Sequence, residues 1–155
     1  MIQIEDLLVN IIAGGVTGAI TAGIGVRFAL SRFRSEKTWE RKASSYSEIF
    51  DSLYHVQKYA KMEIQRIEEG AQFDDSYAKE LGRQASLGYD AIRKAAIKGT
   101  FVVGEAAAKR LNEIVDAFDQ PNYNHDPHDD ISADLATATK AIEDLRKLAA
   151  KDMAS

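Results

Sequence analysis

The 155 residues, 45% hydrophobic and 28% charged, suffice for one core and are too few for two full-sized domains. With no cysteine and two prolines, the chain cannot be a disulfide-stapled module, a thiolate zinc site, a cysteine-nucleophile enzyme or a proline-rich linker. The net charge of -4 lacks the basic surplus of a nucleic-acid binder, yet it is unevenly spread. Residues 1–26 carry only Glu5 and Asp6, residues 27–42 carry six Lys/Arg against Glu36 and Glu40, and the remainder carries fourteen basic against twenty acidic residues.

From Leu7 to Val26 run 20 residues without a charge, LLVNIIAGGVTGAITAGIGV. At about 1.5 Å per residue, a helix of that length covers a hydrocarbon core of roughly 30 Å. Arg27, Arg32, Arg34, Lys37, Arg41 and Lys42 follow it, and positive flanks stay on the cytoplasmic side, so the N-terminus is expected outside the inner membrane. The first four of these basic residues are expected at the lipid interface, where acidic headgroups attract them. A cleaved signal peptide fits poorly, because the flank before the run is acidic and no small-x-small site precedes a polar mature start. The alternative for the same run is a buried glycine-rich hairpin or loop, since Asn10, Thr17, Thr21 and five glycines temper its hydrophobicity.

Each glycine inside an isolated helix costs about 1 kcal/mol relative to alanine, so their spacing calls for an offsetting gain. Gly14, Gly18 and Ala22 form one four-residue stripe, and Gly15, Ala19 and Gly23 form the adjacent one. Small residues at this spacing let a second backbone approach in lipid, which predicts a homo-oligomer through these six positions. If the helices instead surround a water-filled path, Asn10, Thr17 and Thr21 would line it, making the protein a small pore or phage-related membrane effector.

Beyond Arg34 the period is helical. Trp39, Ala43, Tyr46, Phe50, Leu53, Val56, Ala60, Ile64 and Ile67 fall on one stripe, with Trp39 placed in the core and Gly70 as the stop. A second helix capped by Asp74 or Asp75 carries Tyr77, Leu81, Leu87, Ile92 and Ala96 to about Lys98. The run Thr100–Val103 is expected as a buried connection, followed by a third helix with Ala107, Leu111, Ile114, Val115 and Phe118 inward. The segment 120–130, QPNYNHDPHDD, reads as a loop, and Ile131, Leu135, Ala138, Ile142, Leu145 and Ala149 give the last helix a heptad seam. The expected fold is all-α: residues 1–34 as a transmembrane helix with its basic flank, and residues 35–155 as a cytoplasmic antiparallel bundle of about four helices.

The stretch Arg34–Ile49, RSEKTWERKASSYSEI, following an N-terminal membrane helix, resembles the juxtamembrane region of a widespread group of small, functionally uncharacterised bacterial and prophage single-pass membrane proteins. Their basic-Asp-hydrophobic ending is similar to Leu148–Met153 here, LAAKDM. The resemblance implies a topology and carries no activity.

Chemistry-bearing residues are sparse. His125, Asp126 and His128 are the one candidate metal set, weighed against a solvated turn in which Asp129 or Asp130 caps the last helix. His55 reads as a boundary or surface residue rather than a base, and no hydrolase triad signature, HExxH or phosphate loop occurs. The expected protein is therefore not an enzyme, needs no cofactor, and has as partners the lipid bilayer, further copies of itself and another protein.

Overall fold

The computed structural model describes the helical backbone from Ile4 and the side chains of residues 36–120 and 126–154. All regular structure among the described residues is helical: α1 (Ile4–Glu68), α2 (Asp75–Lys98), a single 3-10 turn (Gly99–Phe101), α3 (Glu105–Phe118) and α4 (Pro127–Ala154). The chain divides into two compact units, Met1–Glu40 and Arg41–Ser155. The Leu7–Val26 run and its glycine stripes, Gly14, Gly18 and Ala22 beside Gly15, Ala19 and Gly23, lie outside the residues whose side chains are described, as do Arg27, Arg32 and Arg34. Among the described residues, no helix is long and apolar enough to cross a membrane.

In the second unit, consecutive helices alternate in direction. Ser52 lies against Gly88 and Tyr59 against Gly82, which sets α2 antiparallel to α1. Arg93 of α2 pairs with Asp119 at the end of α3, Arg110 of α3 with Asp144 of α4 at 3.0 Å, and Gln57 of α1 with Thr139 of α4 at 2.9 Å. The four helices thus close into an antiparallel bundle. Ile49, Leu53, Val56, Ile92, Leu111, Ile114 and Leu145 are almost fully buried at its centre, with Ala138 and Ala141 letting α4 approach closely. Isoleucine, leucine and valine of this burial each contribute about 1.5–3 kcal/mol relative to exposure, which is why the three-and-four spacing decides the fold.

Local signals set the ends. Gly70 adopts φ 63°, the left-handed region that favours glycine, and ends α1 with the Ala71 N–H turned back to the Gln65 carbonyl. The Asp74 carboxylate accepts the Ser76 and Tyr77 N–H groups and starts α2, and Gly99, at φ 52°, ends it.

Several inward expectations are corrected. Trp39 is 54% exposed, because the buried stripe of α1 begins two turns later, at Tyr46. Leu87 faces solvent one residue from the buried Gly88: at that contact α2 presents its smallest side to α1, and its leucine points away. Tyr77 and Ile67 are also more than two-fifths exposed. The run after Gly99 is not a buried connection, since only Val103 is buried, while Phe101 is 87% exposed. The 3-10 turn swings Phe101 out as the chain reverses.

Candidate functional site

The described residues that converge from most of the chain do so around Asp152, in the last turns of α4. Its carboxylate accepts from Lys42 Nζ at 2.6 Å, from the Tyr46 hydroxyl at 3.0 Å and from the Gly104 backbone N–H at 2.7 Å. Lys42 and Tyr46 lie one helical turn apart on α1, so both reach the same carboxylate. Gly104 immediately precedes α3, and a Cβ there would come within 2.7 Å of the carboxylate oxygen, so glycine admits the close approach. Burial acts to raise the Asp152 pKa, but the hydrogen bonds from Lys42, Tyr46 and Gly104 outweigh it and hold the carboxyl below its usual range. Burial, reinforced by the neighbouring carboxylate, pushes the Tyr46 hydroxyl up to about 12. An open hollow beside this node, about 210 Å³, is bounded by Leu148, Lys151 and Glu105.

The stretches Arg34–Ile49 and Leu148–Met153, singled out in the sequence, meet at this node. Neither stretch by itself points to the contact. Lys42, the last residue of the basic flank, is engaged by Asp152 and is 29% exposed. Lys37 lies on exposed α1 surface.

Asp126 and His128 of the candidate metal set lie at the opposite end of the bundle. His125 lies outside the described residues. The Asp126 carboxylate accepts the His128 backbone N–H at 2.9 Å, and the Asp126 carbonyl accepts the Asp130 N–H, so Asp126 caps α4 with Pro127 in its first position. This corrects the assignment of the cap to Asp129 or Asp130, which lie within the first turn and favour its positive dipole end instead. The His128 ring nitrogen Nε2 lies 2.8 Å from Glu68 at the end of α1, and that hydrogen bond raises the imidazole pKa. Among the described residues, no group of three His, Asp or Glu is placed to hold a metal ion.

Two further polar groups lie along the bundle. The Tyr89 hydroxyl donates to Asp134, while its ring meets Phe118 edge-on at 5.0 Å. Burial raises the Asp134 pKa, and the tyrosine bond moderates the rise. His55 Nδ1 is buried and bonds to no described group.

The two ends differ in charge. Segments 41–48, 94–105 and 147–154, which meet around Asp152 and beside Ser45, contain six Lys/Arg and three carboxylates. Segments 61–80, 116–120 and 126–134, at the end where Glu68 meets His128, contain three Lys/Arg and twelve carboxylates.

Compared with protein-family models, curated proteins and solved structures, the chain matches none.

Proposed function

We propose that the chain is a single-pass inner-membrane protein, N-terminus outside, that presents its helical bundle on the cytoplasmic side for interaction or regulation at the membrane surface. The observation that carries this reading is the 20-residue uncharged run Leu7–Val26, followed directly by six Lys/Arg within residues 27–42. Support also comes from the resemblance of Arg34–Ile49 to the juxtamembrane region of small bacterial and prophage membrane proteins. The described polar groups suit a scaffold, since Asp152, Asp134 and His128 each tie one helix to another. Copies associate through the Gly14, Gly18 and Ala22 stripe and its neighbour, Gly15, Ala19 and Gly23.

The test is carbonate extraction and protease protection of the full chain tagged at either end in turn. Retention in the pellet with only the C-terminal tag shielded inside the cell supports the reading, and release into the soluble fraction ends it. Gly18→Leu then tests the stripe: crosslinking between copies should be lost while membrane retention is unchanged.

A further inference from the structure

Two of the most exposed large apolar side chains of the bundle, Ile97 at 85% and Phe101 at 87%, lie one turn apart where α2 gives way to the 3-10 turn. That turn belongs to the end of the bundle that holds the Asp152 node. Ser45, Glu48 and Ile49 of α1 face Lys94, Ala95 and Lys98 across a shallow cleft, and Asp152 ties Lys42 to Gly104. This is the end with six Lys/Arg and three carboxylates, whereas the far end is strongly acidic.

We infer that this end docks on the anionic surface of the bilayer, with Ile97 and Phe101 entering the headgroup layer and Lys94 and Lys98, on the last turns of α2, facing acidic lipids. The inference rests on the membrane-anchored reading and adds to it a second lipid contact, made by the bundle itself. Exposed apolar side chains on an end with a basic excess suit an interface that is apolar beneath and negative above. A second copy brought to the same end would set its basic residues against these, so like charge disfavours self-docking there.

The experiment uses the full chain with Trp39→Phe and Phe101→Trp, which leaves one tryptophan at position 101, reconstituted into phosphatidylcholine vesicles with and without phosphatidylglycerol. Docking predicts blue-shifted emission and quenching by brominated acyl chains in the anionic vesicles. Both should be lost on going from about 0.1 to about 1 M salt, as the Debye length falls from about 10 to about 3 Å. Phe101 is 87% exposed, so its replacement leaves the core intact, and helical circular dichroism checks the fold. Retention after carbonate with unshifted, unquenched emission overturns the docking and leaves the anchor standing. Retention with emission that shifts only when a second protein is added assigns the patch to a protein partner and likewise overturns it. Loss of the protein from the vesicles overturns both readings.

Discussion

Substituting Gly88 and Gly82 by alanine in turn tests how closely α1 and α2 pack. Both glycines lie inside α2, where alanine gains about 1 kcal/mol in helix propensity at each. Their surroundings differ. A Cβ at Gly88 would lie 2.7 Å from the Ser52 carbonyl oxygen and 3.4 Å from Val56, and the obstacle is backbone that cannot rotate aside. A Cβ at Gly82 meets only the edge of the Tyr59 ring, at an ordinary 3.5 Å. Forcing a methyl into a close-packed contact costs about 1–3 kcal/mol, so Gly88→Ala should lose about 1 kcal/mol net while Gly82→Ala gains up to about 1 kcal/mol. The propensity term is common to both, and their difference isolates the overpacking cost at about 1–3 kcal/mol. At about 3–4 °C per kcal/mol for a chain of this size, that is a gap in Tm of roughly 3–12 °C. Thermal melts of the full chain in detergent micelles, followed by circular dichroism at 222 nm, measure it. Equal shifts in the two variants, or a more stable Gly88→Ala, would refute the close approach of α2 to the Ser52 carbonyl.

Other outcomes follow from the polar ties. Asp152→Ala removes a charged hydrogen bond and two others from a largely buried site, and should destabilise the bundle by about 2–4 kcal/mol, against about 1 kcal/mol for the more exposed Lys42→Ala, both read from urea midpoints. Since the folded Asp152 pKa is depressed, its stabilisation is present above the unfolded value of about 3.9 and is lost as pH falls through the lower folded value; an acid titration of stability should show this loss in the native chain and not in Asp152→Asn. His128 behaves oppositely. Its folded pKa is raised by Glu68, so its contribution is full below about 6.5 and disappears as pH rises through the folded value; an NMR titration should place the imidazole midpoint above that of Glu68→Gln, and coincident midpoints would dismiss the pairing. Asp126→Ala should cost about 1 kcal/mol through loss of the α4 cap, with Asp129→Ala and Asp130→Ala costing less, and urea unfolding ranks the three.

Helical class, element order and most boundaries were legible because they follow from short-range signals. Gly70 needed a left-handed backbone, Asp74 supplied a cap, and Leu53, Val56, Leu111 and Leu145 kept the helical period. Periodicity marks a stripe but not where a partner helix begins to cover it, and Trp39 continues the α1 stripe two turns before the first buried residue. Leu87 had the spacing of an inward residue, but the close contact is made by Gly88, whose missing side chain gives no hydrophobic signal. Asp126 was overshadowed as a cap by the two aspartates that follow it, and the deciding feature was Pro127, whose fixed φ suits the first helical position. The Asp152 node was not legible: its members are far apart in sequence, and none carries a motif.

The Lys42–Asp152 bond closes a loop of 110 residues. Contacts of such separation form only after the intervening chain has been ordered, because loop-closure entropy must first be overcome. The node is therefore expected to form late, after the folding barrier is crossed. Asp152→Asn should then leave the folding rate almost unchanged and speed unfolding, so that the carboxylate sets how long a folded bundle persists; a slowed folding limb in a stopped-flow chevron would refute the late placement.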